Sequence, residues 1–151
     1  MSNAIDTICK IIEWDLYNMM GLGVDTIQIS DFHKQLQDGA SVFISRSFTQ
    51  QEIQYAKTHV SNRPSQHLAV RYAAKEAFVK AWSSLYRGSP PKIHQPNFQE
   101  IEVQNDQFGR PYIRLSGQIA SICNVHSIQL SLSHDGDYAI AVVIVENHET
   151  R

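Results

Sequence analysis

One segment restricts this chain more than any other: Arg71-Tyr-Ala-Ala-Lys-Glu-Ala-Phe-Val-Lys80, with four charges in ten residues of an unbroken helical pattern. On a 3.6-residue period, Val70, Ala74, Ala77, Phe78 and Ala81 fall into a single apolar stripe. Arg71 and Lys75 flank the stripe on one side, and Glu76 and Lys80 flank it on the other. A helix buried along that stripe, with cations on one shoulder and a carboxylate beside a lysine on the other, can hold a phosphate and a metal together. The plainer reading is an amphipathic helix whose Glu76–Lys80 pair at i,i+4 is a surface salt bridge of about 0.3–0.5 kcal/mol. Charge-flanked helices are common, so the segment alone does not decide between the two.

The rest of the chain reads as one domain around that helix. After Asp25 a helix runs from about Ile29 to Gln37 and stops at Asp38-Gly39. Thr49 with Glu52 three residues later is a capping box, which predicts a second helix start. Ser61-Asn-Arg-Pro64 breaks the chain before the long motif helix, about Ser65 to Tyr86, and a proline-bearing loop follows from Gly88 to Pro96. Glu100–Asn105 and Tyr112–Leu115 alternate around an Asp106–Arg110 turn, which makes a hairpin. Ser116 is placed to cap a short helix reaching about Asn124. Ile128, Leu130 and Leu132 then alternate with polar residues, His134–Asp137 turns, and Tyr138–Val145 is a strongly apolar strand. Helices on a small antiparallel sheet make an α+β domain. Residues 1–20 read as an N-terminal helical extension to the domain at 21–151, because Ile5, Ile8, Ile11, Ile12, Leu16 and Met19 recur at helical spacing. Ser2-Asn3-Ala4 reads as a tag remnant.

Composition removes several classes of function. A net charge of −2 lacks the basic surplus of a nucleic-acid binder. No apolar run approaches the roughly 20 residues that span a bilayer, and Asp6, Glu13 and Asp15 interrupt what would be a signal-peptide core. Cys9 and Cys123 are too few for a disulfide framework and lack metal spacing, so a reducing cytoplasm is expected.

Two further segments change the weight of the motif helix. Gly21-Leu-Gly-Val-Asp25 is an apolar stretch with two glycines, and its single acid is expected where a strand gives way to the next element. Ser131-Leu-Ser-His134 closes an alternating strand before an Asp-Gly turn. In order, the three segments resemble the phosphopantetheinyl transferases, specifically the short holo-acyl-carrier-protein synthase type. The pattern of that family is an early G-x-D strand, an R-[FY]-x-x-K-E-[AS]-x-x-K-A helix and a late S-x-S-H strand. This chain matches it at Gly23–Asp25, Arg71–Ala81 and Ser131–His134, within a likeness running from about Gly21 to Glu146.

The resemblance implies a phosphopantetheinyl transferase fold. It also implies transfer of the phosphopantetheine arm of coenzyme A to a serine of an apo acyl carrier protein, with Mg²⁺ as cofactor. Asp25 and Glu76 match the family's metal ligands. Glu76, Lys80 and Asp25 would form the catalytic group, with Glu76 or a water it holds accepting the serine proton and Lys80 meeting the pyrophosphate. Arg63, Arg71, Lys75, Lys80 and His134 fall where the family contacts coenzyme A. A cytoplasmic homotrimer with sites between subunits is likewise implied.

Rival readings are weaker. Ser131, Ser133 and His134 suggest a hydrolase or a thioester enzyme, yet strand neighbours point to opposite faces and no G-x-S-x-G elbow is present. Gly21 and Gly23 alone make no nucleotide loop, and close backbone packing explains them. Two departures motivate a silent homologue that binds coenzyme A or a carrier without transfer. The helix after the first strand carries Asp31, His33, Lys34 and Asp38 where the family's is commonly basic. Ser83-Ser-Leu-Tyr-Arg-Gly88 stands where the family often has G-T-G.

Overall fold

In the computed structural model, residues 18–38, 40–58 and 63–148 are described. The expected N-terminal helix lies outside these residues except at its end, where Asn18, Met19 and Met20 are strand instead. Strand β1 (Asn18–Gln28) therefore starts ahead of the expected domain boundary, and Asp25 sits inside it rather than at its end. Helices α1 (Ile29–Asp38), α2 (Ala40–Ser47), α3 (Gln50–Thr58) and α4 (Pro64–Ser84) follow. A 3₁₀ turn at Phe98–Glu100 leads into β2 (Ile101–Asn105) and β3 (Pro111–Leu115), then α5 (Gly117–Ile122), β4 (Ser127–Asp135) and β5 (Tyr138–His148).

The α+β architecture holds, with the strands divided between two sheets. β5 is the centre of an antiparallel three-stranded sheet in the order β1-β5-β4, while β2 and β3 form a separate hairpin. His134 pairs with Ala139 within the β4–β5 ladder, so the turn is shorter than expected and consists of Gly136 and Asp137. Helix α2 has no counterpart in the periodicity. Its Phe43 packs on Phe32 and Phe48, so tertiary contact supplies what the pattern lacked.

α4, about 32 Å long at 1.5 Å per residue, is the axis of the molecule. Its stripe of Val70, Ala74, Ala77, Phe78 and Ala81 is buried as expected. Gly21 and Gly23 explain how β1 reaches it. A Cβ on Gly23 would lie 1.9 Å from the Ala77 carbonyl oxygen, and one on Gly21 2.1 Å from that of Ala81. Only glycine admits a strand backbone this near a helix. The other side of α4 is covered as well, by β2 and the segment before it, so Arg71 and Lys75 are buried with the stripe.

The capping box at Thr49 forms as expected. Thr49 N–H donates to Glu52 Oε2 at 2.9 Å, and Glu52 N–H donates back to Thr49 Oγ1 at 3.2 Å. Ser116 stands at the N-cap of α5 but makes no side-chain cap. Glu100 Oε2 takes the Ile119 N–H at 2.9 Å instead.

Candidate active site

Among the described residues, the C-terminal half of α4 keeps a strip accessible: half-buried Glu76, then exposed Lys80 and Ser83. Asp25 follows Gly21 and Gly23 along the row of β1 that faces α4, so the glycine contact carries its carboxylate to the edge of that strip. Lys80 Nζ donates to Asp25 Oδ1 at 2.8 Å and to the Val24 carbonyl at 3.2 Å. The lysine thus bridges α4 to β1 and is not spent on an i,i+4 pair with Glu76. Glu76 lies one turn after Tyr72, whose phenol is near enough to act on its carboxyl.

Burial raises the proton affinity of the Glu76 carboxyl, and the negative charge of Asp25 raises it further, while Tyr72 and Lys80 act in the opposite sense. The Tyr72 phenol is pushed up to about 12, by burial first and then by the charge of Glu76. The two carboxylates thus have one ammonium near them, which is paired with Asp25 and is itself 52% exposed. That excess of negative charge fits a divalent cation. Among the described residues no group of three or more His, Cys, Asp or Glu side chains could hold one. A donor set of two carboxylates suits Mg²⁺, which keeps several waters and shares its remaining positions with substrate phosphates.

The other expected site residues do not gather here. Lys75 departs from the expectation of a phosphate contact. Its side chain is wholly buried, and its ammonium donates to Glu52 Oε2 at 2.7 Å, the Ser47 carbonyl at 2.7 Å and the Phe98 carbonyl at 2.8 Å. An ammonium has three protons to donate, and all three are used. Burial lowers its pKa, against the pull of Glu52. Arg71 is 4% exposed and is likewise withheld from a ligand on the accessible strip. Its guanidinium lies 4.0 Å above the Tyr55 ring and donates to Asn105 Oδ1 at 2.8 Å.

Arg63 is exposed at the N-cap of α4, in a pocket of about 430 Å³ with His33, Ser65 and Asp137. His134 is exposed and extends the inward row Ile128, Leu130, Leu132 of β4. Through the rungs Ile27↔Ala139↔His134 and Asp25↔Ala141↔Leu132 it shares a sheet face with Asp25. It lies two strands across and two residues along from Asp25, roughly 12 Å at ordinary strand spacing. Ser131 and Ser133 point to the opposite face, which removes the serine-hydrolase reading.

Two features escaped the sequence. Tyr72 lies inside the motif, and its place one turn before Glu76 was the available signal. Glu52 reads in the sequence as a cap alone, and no local pattern links it to Lys75, 23 residues on.

This fold and carboxylate pair have relatives. The model of the 4′-phosphopantetheinyl transferase superfamily matches residues 21–143, and the chain belongs to that family. Within it, the likeness is to enzymes of the holo-acyl-carrier-protein synthase type. A "Holo-[acyl-carrier-protein] synthase" of Nocardia farcinica is 39% identical over 129 residues, covering 85% of this chain and 88% of that one. A solved ACPS–CoA complex of Chronobacterium ammoniagenes is 40% identical, with a TM-score of 0.78 over 87% of this chain and 99% of that one. The Helicobacter pylori holo-[acyl-carrier-protein] synthase, solved in complex with coenzyme A, is 29% identical, with a TM-score of 0.67 over 82% and 98% of the two chains. The resemblance drawn from three short motifs is borne out, and the chain is a phosphopantetheinyl transferase.

Proposed function

We propose that this protein moves the 4′-phosphopantetheine arm of coenzyme A onto a serine of an apo acyl carrier protein, with Mg²⁺ held by Asp25 and Glu76. The observation that carries the reading is that Asp25 and Lys80, ion-paired across β1 and α4, lie beside Glu76 on an accessible strip of α4. When bound, Mg²⁺ supplies Lewis-acid neutralisation of charge on the pyrophosphate oxygens.

The serine oxygen attacks the phosphorus that carries pantetheine. The bond from that phosphorus to the bridging oxygen breaks, and its electron pair leaves with adenosine 3′,5′-bisphosphate. Glu76, or a water held by it, accepts the serine proton. Lys80, tethered by Asp25 yet half in solvent, neutralises charge on the departing bisphosphate. Exposed Arg63 and His134 are the coenzyme A contacts in this reading, Arg63 for the 3′-phosphate. Arg71 and Lys75, sealed beneath the surface, hold α4 in place instead.

The outer face of the three-stranded sheet supports the homotrimer. Met20, Leu22, Val24 and Ile140 stand exposed on it, at 64%, 61%, 47% and 39%. Helix α1 offers the carrier little net charge, because Lys34 is paired with Asp31 at 2.9 Å. Charge complementarity mainly sets encounter rate and partner choice, so a carrier would meet this face with little electrostatic steering. A cytoplasmic location fits such a partner.

Mass spectrometry of an apo acyl carrier protein incubated with this protein, coenzyme A and Mg²⁺ tests the reading. The expected result is a gain of one phosphopantetheine, abolished by EDTA and by Asp25→Ala or Glu76→Ala. Coenzyme A binding without any gain across several carriers would overturn transfer and favour the silent homologue.

A further inference from the structure

Two pockets open at the ends of the accessible strip of α4, and they differ in size and chemistry. The one past Lys80, about 230 Å³, is walled by Trp82 and Tyr86, with Lys92 Nζ 4.7 Å from the centre of the Tyr86 ring. The other, about 450 Å³, begins at Tyr72 and is lined by Ser45, Arg46, Gln95, Asn97 and Phe98. Tyr72 precedes Glu76 by four residues, on the same face of α4. This pocket therefore starts one turn, about 5.4 Å, from the carboxylate. Among the described residues no carboxylate lines it. Its walls are side-chain amides, hydroxyls and one exposed guanidinium, and the Tyr72 and Phe98 rings, with centroids 5.3 Å apart, give it an apolar floor.

Those groups match one part of the donor. The pantetheine arm is uncharged, with two amides and a hydroxyl to pair and a gem-dimethyl group to cover. Its backbone is as long as about four extended residues, roughly 15 Å. Tyr72 and Lys80 are about 12 Å apart along the helix axis. An arm leaving a phosphorus held between Glu76 and Lys80 thus passes Tyr72 and ends inside the larger pocket. Arg63 stands in a different pocket, against His33 and Asp137, so the 3′-phosphate and the arm leave the pyrophosphate in different directions.

We propose that the pantetheine arm of coenzyme A lies over Tyr72 and is held in this pocket by Arg46, Gln95 and Asn97. The inference rests on the reading that coenzyme A is the donor and that Lys80 meets its pyrophosphate. An alkyl chain of the same length would strip water from these polar side chains without pairing them, so the lining selects an amide-bearing arm.

The arm ends in a thiol, which lets its position be read directly. In the full chain, Ser45→Cys and Gln95→Cys each put a thiol in the larger pocket, and Ser89→Cys puts one in the pocket past Lys80. All three positions are exposed. Coenzyme A is supplied as its pyridyl disulfide: the protein thiolate attacks the coenzyme A sulfur, and thiopyridone leaves. Intact mass measures the coenzyme A attached, with the unsubstituted chain setting the background from Cys9 and Cys123. Ser45→Cys and Gln95→Cys should be modified at least about 10-fold faster than Ser89→Cys, because the bound arm raises the local thiol concentration. Excess adenosine 3′,5′-bisphosphate should remove the difference. Equal rates, or faster modification of Ser89→Cys, overturn the inference. Calorimetry gives a second readout. Arg46→Ala and Gln95→Ala should each weaken coenzyme A binding by about 3–10-fold, the size of one lost hydrogen bond, and leave adenosine 3′,5′-bisphosphate binding unchanged. An equal loss for both ligands, or for neither, overturns it. If the unsubstituted chain binds coenzyme A while the larger pocket shows no preference, only this inference falls. If it binds neither ligand, the donor reading falls, and this inference with it.

Discussion

Lys75 and Glu76 are adjacent in the sequence and opposite in fate. A step of 100° around α4 separates a buried ammonium, spent on three acceptors, from a carboxylate left at the surface. The Lys75–Glu52 pair closes a network in which Glu52 Oε1 also takes the Val103 N–H at 2.9 Å. Lys75→Ala would strand Glu52 as a buried, unpaired charge, which costs about 3–5 kcal/mol. At this chain length that is a fall in melting temperature of roughly 10 °C or more. A thermal melt checks it, and a fall of only a degree or two would show that the pair carries little. Asp25→Ala is expected to do the reverse, abolishing transfer while leaving the far-ultraviolet circular dichroism spectrum intact. The charged types in the motif were plain in the sequence. Which of them face a ligand was not, because burial of Arg71 and Lys75 depends on β2 and the 3₁₀ turn, about 30 residues away.

At the level of elements, two contacts set where β1 and α1 lie. The first is the approach of β1 to α4 at the glycines. Gly23→Ala would drive a methyl group into the Ala77 carbonyl and add at least the roughly 1–3 kcal/mol of an overpacked core. It would also move Asp25 off the site. Lost stability together with lost transfer is expected, measured by melt and by carrier modification. The second contact is the N-terminal cap of α1, supplied from the β4–β5 turn. Asp137 takes the Ser30 N–H at 2.8 Å and the Ser30 hydroxyl at 2.6 Å, and these bonds, with one from Gln28, hold its pKa below the usual carboxylate value. A folded-state pKa below the unfolded one stabilises above the unfolded value, near pH 4, and that contribution disappears as pH falls through the folded value. Asp137→Asn should therefore melt below wild type at pH 7, with the gap closing in acid below about pH 4. A gap that persisted at low pH would point to shape rather than charge. Asp-Gly marked the turn in the sequence, but nothing there tied it to α1, 107 residues earlier.

For the molecule as a whole, the described residues leave Met20, Leu22, Val24 and Ile140 exposed on one face of the sheet. In a homotrimer that face is buried. Leu22→Glu or Ile140→Glu should then shift the sedimentation coefficient from trimer to monomer, and a wild-type monomer would sink the assembly reading. The chain's own contribution is clear at this scale. Hydrophobic period, capping box, turn residues and three ordered motifs determined the α+β class, most helix and strand positions, the family, and Asp25 and Glu76 as carboxylates of interest. These are local signals, written within a few residues of where they act. Only the tertiary structure decided that Lys80 binds Asp25 rather than Glu76, and that Lys75 is sealed against Glu52. Each is a choice among partners brought together by packing around α4, and burial selects among such partners only once the chain has closed on itself.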